Sequence, residues 1–352
     1  MKVLVTGHQG YIGSILVPML QAAGHQVVGL DTGWYASETP LPQTDNTPNL
    51  ELDVRDISVY QLSGFQAVLH LAGISNDPVG DLDSDLTFEI NYEASVRLAK
   101  NAKQAGVQRF LFASSCSLYG AQTGDEPLSE SAHFDPITAY GKSKVMVEQD
   151  VASLADGIFC PTYLRCATAY GYSPRLRTDL VVNSLVASAH CQNRIKMTSD
   201  GSPWRPLVHV EDIARAYLAI LHAPRPLVHN QAFNVGRTKE NYQIRDVAKL
   251  VQSVLPTSEV EMAEHAEPDT RCYRVDCSKL QRTLSEFRPR WSVRQGIVEL
   301  FGAYHHYGLS QADFDRPTFV RIQQIKQHRQ AGRLTSDLRW SPSHLATVQS
   351  WW

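Results

Sequence analysis

The chain of 352 residues has no apolar run that approaches the roughly 18 residues of a membrane-spanning helix. Nor does a basic stretch lead into a long hydrophobic segment near its start, so the expectation is a cytoplasmic protein that makes no use of a membrane. An excess of one charge is also missing. Its 33 basic and 36 acidic side chains leave a net −3, which argues against a nucleic-acid surface. The six cysteines, Cys116, Cys160, Cys166, Cys191, Cys272 and Cys277, show no CxxC spacing, so neither a metal site nor disulfides are expected. With 43% hydrophobic and 20% charged residues, the chain has an ordinary globular composition at a length that calls for two structural parts.

What is present starts with MKVLVTGHQGYIG. Lys2 to Thr6 is a β-branched run of the kind a buried parallel strand requires. Gly7, Gly10 and Gly13 follow, then the apolar-periodic stretch Tyr11 to Ala23. Three glycines alone can be a tight turn. Between a strand and a helix, they let the backbone approach a pyrophosphate, whose charge meets the unpaired N–H groups of the helix N-terminus. His25 to Leu30 reads as the next buried strand, with Asp31 at its carboxyl end. A carboxylate there accepts from both adenosine-ribose hydroxyls and repels a 2′-phosphate, whereas Thr32 to Tyr35 offer no arginine. NAD is therefore expected over NADP, the other use of Asp31 being a turn or a helix cap.

Strand-like and helix-like segments continue to alternate. Asn49–Val54, Ala67–Ala72, Phe110–Ser114 and Phe159–Arg165 read as strands, and Leu86–Ala105 and Tyr140–Leu154 as helices, the former with Ile90, Ala94, Leu98 and Ala102 on one face. Gly33–Pro48 reads as an exposed loop. Such βα repeats build an α/β, Rossmann-type doubly wound parallel sheet with its ligand crevice at the carboxyl ends of the strands. After about residue 170 the pattern mixes: helices over Leu180–His190, Val210–Leu221 and Tyr242–Val254, and a short strand over Pro206–Val210. The expected division is residues 1–170 for the dinucleotide, with later segments returning to it, 171–315 mainly for substrate, and 316–352 as a C-terminal helical extension. Long polar helices are expected in the last forty residues, and Trp351 and Trp352 either pack on a surface or end a disordered tail.

Tyr140 and Lys144, in YGKSK, fall on one helix face. An ammonium beside a phenol stabilises the phenolate and makes it a usable base near neutral pH, although a surface pair would have the same spacing. Ser114, Ser115 and Ser117 lie just past a strand, where a hydroxyl can reach the oxygen that Tyr140 deprotonates or simply cap the strand end.

These residues together resemble the extended short-chain dehydrogenase/reductases, specifically the NAD-dependent epimerase/dehydratase group that works on nucleotide sugars. The resemblance spans roughly residues 1 to 300. GHQGYIG is similar to the family's GxxGxxG, with Tyr11 and Ile12 beside its glycines; LDVRD gives Asp53 and Val54 as adenine contacts. HLAG gives Leu71, Ala72 and Gly73 along the dinucleotide, and Asn91 matches a family asparagine in the following helix. SSCSLYG resembles the serine signature, which implies Ser115 as a catalytic residue beside Tyr140 and Lys144, with Ser117 near the substrate. LRCATAYG carries Thr168 where many members have a substrate-contacting Asn. WRPLVHVEDIA and TRCYRVD resemble segments that imply Arg205 and Arg271 as diphosphate partners, the alternative being structural salt bridges. Asn76, in the polar run Ser75 to Pro78, is a candidate sugar contact or a plain turn residue. Family pairing through the helices matching Leu86–Ala105 and Tyr140–Leu154 implies a homodimer.

The family's outcomes divide on the residues after Ser115. Dehydratases of the group place Asp and Glu there, and decarboxylase-like members keep a Glu at the position of Ser117; this chain has Cys116 and Ser117. The expectation is an epimerase acting through a keto sugar. A dehydrogenase or ketoreductase, which stops after one transfer, stays open, as does a protein that binds NAD or a sugar nucleotide without turnover.

Overall fold

Strands buried on both faces need continuous apolar runs, and such runs assemble the main sheet of the computed structural model. Residues 1–35, 47–75, 83–121, 126–262, 272–314 and 316–343 are described. The strands are β1 (Lys2–Thr6), β2 (Gln26–Leu30), β3 (Asn49–Leu50), β4 (Ala67–His70), β5 (Arg109–Ser115) and β6 (Cys160–Cys166). Further along come β7 (Thr168–Tyr170), β8 (Arg194–Met197), β9 (Trp204–His209), β10 (Gln231–Val235), β11 (Asn241–Gln243) and β12 (Glu259–Met262). Seven strands form a parallel sheet in the order β10-β6-β5-β4-β1-β2-β3. The chain runs outward from β1 to β3 and then returns to β4 on the other side of β1. That reversal opens a crevice beyond the carboxyl ends of β1 and β4.

A smaller part has its own core, with Leu185, Val186, Leu207, Val251, Ile297 and Leu300 buried together. Its sheets are β11-β9-β7, with one antiparallel and one parallel pairing, and the parallel pair β12-β8. β10 returns from this half of the sequence to the edge of the main sheet.

Three expectations change. The third strand stops at Leu50 because the Leu52 N–H turns back to the Leu50 carbonyl and the Asp56 N–H to that of Asp53. The helix expected over Leu86–Ala105 begins at Ser84, where the Asp83 carboxylate accepts from the Leu86 N–H, and Glu89–Glu93 within it is a π turn. Among its described residues the extension holds one α-helix, Arg321–Gln330, of ten residues, rather than long polar ones. That helix buries Gln324, Ile325 and His328, so its polar composition hides a packed face. Trp351 and Trp352 and most of the Gly33–Pro48 loop lie outside the described residues. All six cysteines are free thiols.

A buried ion pair joins β6 to the helix Ala139–Ala152. Arg165 donates to both Glu148 oxygens, the closest contact being 2.6 Å, while the Ser114 hydroxyl also donates to Glu148. Arg165 reaches the Tyr119 hydroxyl at 3.1 Å, and Tyr119 donates to Asn234 Oδ1 at 2.7 Å. Removing one partner strands the other charge out of water. Glu148→Ala is therefore expected to lower unfolding stability by about 3–5 kcal/mol in a denaturant titration, and a loss below about 1 kcal/mol would refute this account.

Candidate active site

The crevice is a cleft of about 830 Å³. Its dinucleotide half is built on the turn after β1. Gly7 has φ +73°, and a Cβ there would lie 2.8 Å from Ala72 N; one on Gly13 would lie 2.4 Å from two carbonyl oxygens of the turn. The helix Gly13–Ala22 that follows has no side-chain cap and no acidic residue in its first turn, which leaves its N–H end available to an anion. Gly10, Tyr11 and Ile12 also line the cleft. The Tyr11 hydroxyl donates to Gly171 O at 2.6 Å, and burial raises its pKa.

Asp31 lines the cleft and accepts the N–H groups of Gln9 at 3.1 Å and Gly33 at 2.9 Å. A carboxylate has about four acceptor positions, so this turn role is compatible with ribose hydroxyls as further donors. Leu71, Ala72, Gly73 and Val54 line the same half. Asp53 does as well, with its carboxylate oxygens accepting from Arg55 at 3.0 and 2.7 Å. Asn91 sits in the helix that the resemblance placed it in. It is buried and is not among the residues lining the cleft, and it clamps the Ile74 backbone through both amide atoms, at 2.7 and 2.9 Å. Its π turn presents it to the rim segment. The glycine cradle, the open helix end and Asp31 together fit a dinucleotide.

Ser115, Ser117, Tyr140 and Lys144 line the same cleft. Thr138 caps the helix Ala139–Ala152 by accepting from the Gly141 N–H at 3.1 Å. A Cβ on Gly141 would lie 2.9 Å from Ser117 O, so glycine lets the start of this helix press on the serine turn. Ser115 ends β5, donates to Ser117 Oγ and accepts the Ser117 N–H, both at 3.1 Å; it is a cap and a cleft residue at once. Lys144 donates to Ala113 O at 2.8 Å, and its ammonium lies 5.4 Å from the centroid of the Tyr140 ring. Burial lowers the Lys144 pKa to about 8.

Thr168 and Arg205 also line the cleft. Arg205 is buried, donates to Trp204 O at 2.8 Å and faces the Tyr273 ring at 5.8 Å. Asn76 and Arg271 lie outside the described residues. The motifs missed several lining residues: Tyr35, Arg177, Asp179, Lys196 and Arg321. The arginine-rich PRLRTD after β7 and the alternating RIKM of β8 were available as signals for three of them. Nothing local in the sequence points to Arg321.

The family model described as NAD dependent epimerase/dehydratase family matches residues 3–236. UDP-glucose 4-epimerase of Mycolicibacterium smegmatis is 29% identical over 309 residues, 85% of this chain and 97% of that protein. UDP-glucuronic acid decarboxylase 4 of Arabidopsis thaliana is 26% identical over 84% of this chain and 67% of its own length. Among solved structures, MoeE5 in complex with UDP-glucuronic acid and NAD is similar, with a TM-score of 0.76 and 25% identity over 87% of this chain and 99% of its own. On the cleft geometry and the match across most of its length, the chain belongs to the NAD-dependent epimerase/dehydratase family.

Proposed function

We propose that the protein is an epimerase of a nucleotide-diphosphate sugar, acting through a transient keto sugar with Tyr140, Lys144 and Ser115 around the reacting oxygen. The observation that carries this reading is where acids stand in the cleft. The carboxylates among its described lining residues are Asp31, Asp53 and Asp179, and the last two are held by Arg55 and Arg177. Dehydration of the keto sugar needs an acid and a base beside it. Cys116 is buried, donates its thiol to Arg165 O, and has its pKa raised by burial, while Ser117 offers only a hydroxyl. Epimerisation needs one proton removed and returned at one oxygen, which this set supports.

Bound NAD supplies the hydride acceptor and donor. Tyr140 takes the proton from the sugar hydroxyl as its carbon is oxidised, and returns it when the ketone is reduced on the other face. Lys144 favours the phenolate, and the Ser115 hydroxyl donates to the oxygen as its charge changes. Arg205 and the exposed Lys196 bring cations suited to a diphosphate, with Arg271 and Asn76 as further candidate contacts.

A panel of UDP-, dTDP-, GDP- and CDP-sugars read by mass spectrometry and NMR tests the reaction. A changed stereocentre at constant mass is expected; loss of water or carbon dioxide, or of two hydrogens with NADH release, would replace the reading with dehydration, decarboxylation or dehydrogenation. Tyr140→Phe should lower kcat about 10²–10⁴-fold while NAD binding is retained. Because the lowered Lys144 pKa means its charge is lost as pH rises through about 8, kcat/KM should fall over that range. A limb that persists unchanged in Lys144→Met would contradict the assignment.

The family's pairing mode supports a homodimer as the assembly. The π turn and the helix Ala139–Ala152 sit side by side, with Tyr92 donating to Asp150 at 2.6 Å. Exposed residues of the helix Ala94–Gln104 that continues the π turn, Arg97 and Lys100, and of Ala139–Ala152, Lys142 and Gln149, give an interface here a polar rim. Light scattering at micromolar concentration should return twice the chain mass, and a monomer would exclude this assembly.

A further inference from the structure

Past the second part, the chain folds back across the dinucleotide half of the cleft. The helix Arg321–Gln330 places Ile325 in a cluster with Trp34, Ile74, Leu86 and Ile90. His328 Nε2 lies 2.9 Å from Trp34 O, and Trp340 Nε1 donates to Thr32 O at 2.5 Å. On the other side, Arg339 pairs with Asp56, and Arg55 donates to Asp337 O at 2.9 Å. The segment is thus fastened both to the loop after β2, where Asp31 stands, and to the turn after β3.

Arg321 opens that helix and lines the cleft together with Ile322. It is only 4% exposed, and its guanidinium stacks 3.9 Å from the centroid of Tyr35. The acids near it are already engaged. Asp179 accepts from Arg177 at 2.9 and 3.0 Å, and Asp31 accepts two backbone N–H groups. Among the described residues, no acceptor is hydrogen-bonded to the Arg321 guanidinium and no carboxylate stands within ion-pair distance of it. The guanidinium thus faces the cleft with donors that no described acceptor takes up, and burial lowers the Arg321 pKa to about 10. An anion in the cleft would accept from them.

We infer that Arg321 is a ligand of the NAD diphosphate, supplied to the cleft by the C-terminal segment from outside the sheet. The inference rests on NAD as the cofactor and is independent of which sugar reaction follows. NAD carries no other anionic group, and Arg321 stands on the dinucleotide side of the cleft, beside Tyr35 and Asp31. Arg177 stands in the same wall, paired with Asp179.

The test is calorimetry on the full-length protein freed of nucleotide, comparing wild type with Arg321→Met, which keeps the stem on Tyr35, and Arg321→Lys, which keeps the charge. The ligands are NAD, adenosine, NADP and UDP. Arg321→Met should bind NAD at least about tenfold more weakly and adenosine within about twofold of wild type, with Arg321→Lys recovering part of the loss. The inference is overturned by unchanged NAD binding, or by equal losses for NAD and adenosine, which would make Arg321 a packing residue. It is also overturned if the loss is confined to NADP, which would make Arg321 a reader of a 2′-phosphate, or to UDP, which would assign it to the substrate. None of these outcomes depends on sugar turnover, so epimerisation can fail while this assignment stands.

Discussion

The floor of the cleft depends on an approach of two backbones that admits no β-carbon. The turn after β1 hangs between its neighbours, with the Gly7 N–H on Leu30 O at 2.8 Å and the Leu71 N–H on Thr6 O at 3.0 Å. The glycines let the turn close against Leu71 and Ala72 and let the helix Gly13–Ala22 start directly above it. A larger residue at either point would push the helix end away from the pyrophosphate position, and binding would be lost before any ligand contact was touched.

The rim of that floor is fixed by a buried polar chain. The Ser95 hydroxyl donates to Asn91 O at 2.7 Å, which leaves it to accept from His70 Nε2 at 2.8 Å. His70 Nδ1 then accepts from Thr6 Oγ1 at 2.6 Å, and Thr6 Oγ1 accepts from the Ala72 N–H. Burial holds the His70 pKa at about 3, so the ring is neutral and one tautomer satisfies every link. Through Asn91, the chain reaches Ile74 on the rim. Against this satisfied chain, the Arg321 guanidinium has no hydrogen-bonded acceptor among the described residues.

The parallel sheet was readable because strands covered on both faces leave continuous apolar runs, and the glycine turn was readable because its constraint is local. Tyr140 and Lys144 could be paired from helical spacing alone, and they stand in one wall of the cleft. The π turn was not readable, since an extra residue in one turn leaves the apolar period nearly intact. Asp53 was legible as a position but not as an engaged carboxylate, because Arg55 two residues on competes for it. Arg321 was invisible for a different reason: it meets Tyr35 across almost the whole sequence, and no periodicity records a contact of that range.

Arg55 carries a consequence for how the chain tolerates shortening. Its side chain is almost wholly buried, and its hydrogen bonds are shared among Asp53, Glu89 and the backbone carbonyl of Asp337. Terminal regions usually bear trimming because few buried groups rely on them. Here a deletion that removed Asp337 would take an acceptor from a cation beneath the edge of the main sheet, nearly three hundred residues away in sequence. In folding terms, the last described turn of this chain belongs with the turn after β3.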